Sequence, residues 1–417
     1  MRLKDLVSIN QRTLPETTQP DYAFRYVEIS SVDSNGTIQN LEEMTFDSAP
    51  SRARRLVKRD DVIVSTVRTY LRAIGAIDFE ATDVVVSTGF AVCTPNEKVV
   101  PKYLNYALRC DNVMDEICKD SSGISYPAIN ATKLSSIEIP YLDIPLQQAI
   151  VAYLDEKAAA IDRKVALLEK KLAAFKRLKT SIINRAVTRG LDPHVKLKDS
   201  GVDWIGQVPE GWEVRRFSRE FTFFKGMPIT KADLTETGVA VISYGQIHSK
   251  DNPSTTLLPS LLRCVPEKIV AENLSARLNY GDIVFADTSE DIEGCGNCVL
   301  MDFEGEVFAG YHDIVARPNQ PESAKYYAYL FNSPSWRMQI RARVAGIKVF
   351  SMTQRLFKGV SVIFPSVSEQ REIAAYLDAE CAKIDKAAAI AEKQIDAYRR
   401  LKRSLINEVV TGKRKVA

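Results

Sequence analysis

No run of apolar residues approaches the ~18 that a membrane-spanning helix needs, and the opening MRLKDLVSIN lacks the apolar centre of a signal peptide. Histidine is scarce: His194, His248 and His312 lie far apart in sequence, so a histidine-rich metal site is not expected. No G-x-x-x-x-G-K-[ST] loop occurs, which argues against intrinsic ATP use. The one compact glycine element, Gly294-Cys295-Gly296, lacks the third glycine of a dinucleotide fingerprint. The Asn/Asp-Pro-Pro-aromatic tetrapeptide of amino-methyltransferases is also missing. Charge of one sign is lacking too: 56 basic against 53 acidic residues leave a net +3, so affinity for nucleic acid must come from local patches.

What is present is ordinary globular material in quantity. The 417 residues, 45% hydrophobic and 26% charged, suffice for two or more cores and exclude disordered or collagen-like architectures. The seven cysteines are odd in number and irregularly spaced, which fits reduced thiols in a cytoplasmic protein better than a disulfide framework. Cys295-Gly-Asn-Cys298 is a single C-x-x-C without a second pair at zinc spacing and reads as a turn with free thiols.

The chain also repeats itself. Residues 153–188 lie on 376–411 at a constant offset of 223, without a gap. Tyr153-Leu154-Asp155 fall on Tyr376-Leu377-Asp378, Ile161-Asp162 on Ile384-Asp385, and Ile183-Asn184 on Ile406-Asn407. Both copies carry a 4-3 apolar seam, the signature of a long helix with one narrow stripe. The first runs Leu154, Ala158, Ile161, Val165, Leu168, Leu172, Phe175, Lys179, Ile182, Ala186. The second runs Leu377, Cys381, Ile384, Ala388, Ala391, Ile395, Tyr398, Lys402, Leu405, Val409. The charged steps Lys179 and Lys402 coincide, and Gly190 and Gly412 follow as stop signals. A lone helix of about 40 residues cannot bury such a seam, so it needs a partner. Equal length and a shared charged step favour pairing within the chain over a homodimeric coiled coil.

The segments before each helix share landmarks. Asp61-Val-Ile-Val-Ser65 resembles Asp282-Ile-Val-Phe-Ala286, both of strand type, and Tyr103 and Tyr106 fall on Tyr326 and Tyr329. Elsewhere they diverge, as in Thr66-Val-Arg-Thr-Tyr70 against Asp287-Thr-Ser-Glu-Asp291, the pattern of one scaffold carrying two sets of loops. Acidic-x-Lys triplets of nuclease type, Asp155-Glu-Lys157 and Asp162-Arg-Lys164, fall on the helix, where a solvated charged face is the plainer meaning. From Arg163 to Arg189 nine basic residues oppose the single acid Glu169; this stretch is either a solubilising exterior or a surface near DNA phosphates.

Three features together are more specific than any of these. They are Ser200-Gly-Val-Asp-Trp-Ile-Gly-Gln-Val-Pro-Glu-Gly-Trp-Glu-Val214, the lead-ins Ile139-Pro140 to Gln147-Gln148 and Phe364-Pro365 to Glu369-Gln370, and the endings Leu178-Lys-x-Ser-Ile-Ile-Asn184 and Leu401-Lys-x-Ser-Leu-Ile-Asn407. On these residues the chain resembles, over essentially its whole length, the DNA-specificity subunits of type I restriction-modification systems. The resemblance implies an α+β chain with an internal pseudo-twofold repeat: two globular α/β target-recognition domains separated by two long antiparallel coiled-coil helices. The expected limits are 1–145 and 216–367 for the domains, 146–189 and 368–411 for the helices, 190–215 for a connector and 412–417 for a basic tail. Each domain would read half of an interrupted site in double-stranded DNA. Catalysis would belong to partners: two modification subunits using S-adenosylmethionine, and restriction subunits using ATP with Mg. The chain itself would bind no cofactor, metal or membrane and would have no catalytic residue. An orphan DNA-binding or coiled-coil scaffold protein is the alternative. One departure is that Arg2-Leu3 parallels Arg216-Phe217 with no counterpart of the segment Trp204 to Trp212 before it.

Base reading needs Arg, Asn, Gln and small polar groups on exposed loops. In the first domain this points to Arg68, Tyr70 and Arg72, and to Ser125, Asn130 and Lys133 after Gly123. In the second it points to Ser289, and to Lys348, Gln354 and Arg355 after Gly346.

Overall fold

Val62–Ser65 and Ile283–Ala286 read as unbroken apolar runs because each strand is covered on both faces. Val62 and Val64 point to one core cluster and Ile63 to another; Ile283 and Phe285 are likewise divided from Val284 and Ala286. A computed structural model describes all residues except 124, 125, 253, 254, 345, 347, 348 and 417. It comprises two units, Met1–Glu169 with Glu392–Ala417, and Lys170–Ala391.

In the first unit Val62–Ser65 lies in an antiparallel sheet of order Val7–Ile9, Phe90–Pro95, Val62–Ser65, Ile74–Ala76. One face packs on helices Pro101–Leu108 and Asp111–Asp120 and on the ends of two long helices through Ile150, Leu154, Leu405 and Val409. The other face meets a second sheet of order Glu42–Thr45, Ala23–Val27, Val84–Ser87, Ala53–Leu56, whose middle strands are parallel.

The second unit repeats this plan. Its first sheet has the order Phe221–Lys225, Asp313–Pro318, Ile283–Ala286, Cys298–Leu300. Its second sheet, Arg263–Val265, Val239–Ile242, Val307–Ala309, also holds one parallel pair, Val239–Ile242 with Val307–Ala309, and has three strands among the described residues. The connector expected at 190–215 contains a hairpin, Leu197–Asp199 with Gln207–Pro209, and its Trp212 is buried in the unit's core. Trp212 gives the hairpin an apolar anchor on the domain that follows.

The long helices are Ile144–Arg189 and Val367–Val410. The first starts slightly before the expected position because Pro145 is tolerated in an opening turn, where its missing N–H has no intrahelical partner to lose. Gly190 and Gly412, at φ 76° and 73°, follow the two C-termini in the left-handed region that a side chain would disfavour. Every seam residue is buried or half-buried, whereas most residues between them are exposed. The units divide within these helices rather than at their ends, because each helix half packs against its own globular domain.

Pairing inside each unit explains the seam's charged step. In the first unit Lys402 Nζ donates to Asp162 at 2.8 Å and Arg399 lies 3.0 Å from Glu169, so the segments run antiparallel. In the second unit Lys179 Nζ donates to Asp385 at 2.7 Å. The repeated Lys and the repeated Ile-Asp are thus two sides of one contact. Exposed pairs of this kind contribute only about 0.2–1 kcal/mol each, but they penalise a slipped register.

Other repeated residues dock the helices onto the domains. Gln147 is fully buried, donating to the Leu142 carbonyl and accepting from Val100 N; Gln370, equally buried, donates to the Pro365 carbonyl. Tyr106 and Tyr329 donate to Asp155 and Asp378 at 2.8 and 2.6 Å. Asn407 Oδ1 accepts from Asp111 N at 2.8 Å and Asn184 Oδ1 from Ser335 N at 3.2 Å, each satisfying an orphan donor at the start of a short helix. The unequal beginnings of the two halves also converge. Leu3 N donates to Ile137 O and Phe217 N to Val360 O, both at 2.9 Å, and both side chains are fully buried.

Candidate nucleic-acid interface

In the first unit the strand Val62–Ser65 ends in a turn, Thr69–Leu71, flanked by Arg68 and Arg72 at φ 53° and 56°. Two non-glycine residues in left-handed geometry on one short loop require support from outside it. Arg68 N donates to Pro127 O at 2.8 Å, Ile129 N to Thr66 O at 2.9 Å, and Thr69 Oγ1 lies 2.9 Å from Ser121 Oγ. The loop that begins at Arg68 and residues 126–129 therefore form one surface.

That surface presents an exposed cation and two exposed rings. The Arg68 guanidinium lies 4.7 Å from the centroid of Tyr126, and Tyr70 and Tyr126 are 56% and 61% exposed. Tyr126 was not among the expected residues, although an aromatic between Gly123 and Pro127 on a predicted surface loop was the signal for it. Arg72 behaves differently: it is half-buried and held 2.6 Å from Asp111. Asn130 Oδ1 caps helix Ala131–Ser136 by accepting from Lys133 N at 2.8 Å, and Lys133 Nζ donates to Asp120 O. Ser125 lies outside the described residues.

The second unit builds the same junction from other residues. Met352 N donates to Asp287 O at 2.6 Å, and Thr288–Ser289 pairs with Phe350–Ser351. Ser289, expected on an exposed loop, is instead 5% exposed, its hydroxyl donating to Asp291 O at 2.7 Å. The short strand pairing draws it inward and leaves it no free polar group to offer a base. Arg355 is exposed and Gln354 half-buried on the helical turn Gln354–Phe357, while Lys348 lies outside the described residues.

Two histidines separated in sequence meet at this junction. His248 Nε2 lies 2.8 Å from Thr288 O, and His312 Nδ1 lies 2.9 Å from Asp287 Oδ1 and 3.2 Å from Thr288 Oγ1. His312, at φ 60°, is half exposed and packs against the Tyr244 ring at 5.3 Å. Asp287 orients its Nδ1, which leaves Nε2 directed away from the pair. Sequence distance concealed this group, since only the sheet return brings position 312 beside position 287. Next to it, burial raises the Asp313 carboxyl well above its ordinary range.

Among the described residues no group of three or more His, Cys, Asp or Glu is placed to hold a metal. All seven cysteines are free, and burial pushes the thiols of Cys93, Cys110 and Cys298 up to about 12. No helix among the described residues is long and apolar enough to cross a membrane. What the two junctions offer is hydrogen-bond donors, acceptors and rings on loops held by a rigid sheet.

Residues 1–176 match a family model described as the type I restriction modification DNA specificity domain. The chain is 25% identical over 211 residues to the type I restriction enzyme StySPI specificity subunit of Salmonella potsdam, a match covering 50% of this chain and 44% of that protein. It is 23% identical over 337 residues to the putative type I restriction enzyme MjaX specificity subunit of Methanocaldococcus jannaschii, covering 77% and 70%. A solved structure described under complex assembly and conformational transition of the type I R-M system superposes with a TM-score of 0.71 at 20% identity, covering 99% of this chain and 97% of that one. At that identity the superposition shows a shared fold.

Proposed function

We propose, on the premise that this chain belongs through residues 1–176 to the family of type I restriction modification DNA specificity domains, that it is the DNA-specificity subunit of a type I restriction-modification complex. Each globular domain reads one half of a bipartite target in double-stranded DNA. The long helices set the unread spacer and dock two modification subunits.

One observation carries this reading beyond family likeness. The two units share sheet order and loop support, yet place different chemistry at the same junction: Arg68, Tyr70 and Tyr126 in one, His312, Asp287 and Arg355 in the other. Two readers on one scaffold with unlike surfaces suit two unlike half-sites. Arg is the residue that pairs bidentately with a guanine edge, while rings and small polar groups contact other base features. Lys133 suits backbone positioning better than base reading.

In this reading the chain performs no turnover. Methyl transfer from S-adenosylmethionine to adenine falls to the modification subunits, and ATP with Mg serves the restriction subunits, all in the cytoplasm. A map of methylated adenines in the source strain, with and without the gene, tests the assignment. Deletion should abolish methylation at one interrupted motif and reveal both half-sites. An unchanged map would instead favour a scaffold or an orphan DNA-binding protein.

A further inference from the structure

We propose that the cavity walled by Arg72, Arg109, Arg399, Arg400, Lys402 and Arg403 in the first unit seats a backbone phosphate of the DNA duplex, beside the exposed Arg68 and Tyr70. The inference rests on the DNA-reading assignment above and locates a positioning contact for it.

The cavity is about 410 Å³ and has one wall on the second long helix, one at Arg109 just after helix Pro101–Leu108, one at Arg72 and one on the loop holding Ser34 and Asn35. Six cations around one space demand counter-charge, and the protein supplies only part of it. Asp111 lies 2.6 Å from Arg72 and 3.3 Å from Arg403, with Asp115 4.0 Å from Arg72. Asp162 takes Lys402, and Glu169 takes Arg399. Among the described residues Arg109 and Arg400 have no ion pair and no side-chain hydrogen bond; Asp33 and Asp162 act on Arg109 only through space.

Arg109 is the informative member. Burial pulls its guanidinium below the ordinary value, the mark of a cation stripped of water without a partner that repays the loss. A bound oxyanion would restore both charge balance and hydrogen bonds, and phosphate accepts several charge-assisted donors at once.

The surroundings favour a phosphate within a polymer. Arg72 ends the loop that begins at Arg68, so the wall of the cavity and the exposed Tyr70 belong to one short turn. A strand whose bases face Tyr70 and Arg68 would bring its backbone past Arg72. The second unit keeps only part of the set: at the 223-residue spacing Arg399, Arg400 and Lys402 are matched by Lys176, Arg177 and Lys179, whereas Arg109 is matched by Asn332 and Arg403 by Thr180. A charge cluster serving only the fold would be expected in both copies, as the Gln147/Gln370 and Asn184/Asn407 contacts are.

The test uses the full chain with the subunits that co-purify with it. Binding of a duplex carrying the methylated motif and of a scrambled duplex is followed across salt concentrations for wild type, Arg400→Gln and Arg109→Gln. Arg400 is on an exposed helical face, so its variant retains the fold if Arg109→Gln does not. Each variant should weaken both duplexes by the same factor, and the slope of log affinity against log salt should shrink by about 0.9 for the one phosphate released. An unchanged slope in folded Arg400→Gln overturns the proposal, as does a loss confined to the motif duplex. Inorganic phosphate is titrated separately: thermal protection of wild type but not of Arg400→Gln, with slopes unchanged, would make this a seat for free phosphate and overturn the duplex assignment. If wild type fails to discriminate the duplexes while the variants still lose slope, the seat stands and the specificity reading falls.

Discussion

Asp61 and Asp282 open equivalent strands, and each is buried with an arginine in contact: Arg12 for Asp61 and Arg317 for Asp282, both at 2.6 Å. Each carboxylate also accepts from a backbone N–H three residues earlier, Lys58 and Asn279, closing the turn that launches the strand. The partner arginines come from different places in the two halves, so the turn is common to both while the source of its counter-charge is not. At the same scale, Arg355 stands exposed on a turn of the second unit. Replacement by alanine should cost about 1–3 kcal/mol against the cognate duplex and relax one base of one half-site, which the methylated motif would display. Equal weakening over all sequences would instead mark a phosphate contact. The cysteines give a second expectation. Cys118 is exposed, while burial holds Cys93, Cys110 and Cys298 protonated up to about 12 against an ordinary 9.0. A thiol reagent at neutral pH should therefore label Cys118 in the folded chain and these three only after unfolding. Because their folded values are raised, their contribution to stability is present below pH 9.0 and is lost as pH climbs toward 12. Melting temperature should fall through that window, and the fall should be smaller in Cys93→Ser if the variant folds.

The long helices are the element whose length has meaning. Their seams meet inside each unit through the same lysine–aspartate contact, so register is specified locally rather than by the ends alone. One helical turn inserted within Ala173–Lys179, with a matching turn in its partner segment, adds about 5.4 Å. Against a rise of about 3.4 Å per base pair, the unread spacer should lengthen by one to two base pairs while both half-sites keep their bases. Sequencing of methylated adenines reads this directly, and an unchanged motif would rule out the helices as the spacer. An insertion in one helix alone should be worse tolerated, since it moves Lys179 or Lys402 off its aspartate.

Across the whole molecule, periodicity carried most of the architecture. The 223-residue repeat, the seams, the glycine stops and the strand runs are local or self-referential patterns, and such patterns survive without knowledge of any tertiary contact. The Gln and Asn of the repeated motifs were recognisable as landmarks, but their work, docking helix onto domain through buried amide contacts, appears only when residues far apart in sequence are brought together. Site residues were harder. Arg68 and Tyr70 sit where loop logic placed them, whereas Ser289 is drawn into a strand pair and Arg72 is engaged by Asp111, because exposure depends on neighbours that no local pattern encodes. The His312–Asp287 pair and the arginine cavity joined no motif, as their members come from separate elements. The sequence by itself therefore determined the duplication, the helices and the missing catalytic motifs, since these follow from spacing along one chain. Which side chains face outward, which charges are compensated and which residues share a surface was decided by tertiary packing alone, because burial and distance are properties of the folded neighbourhood.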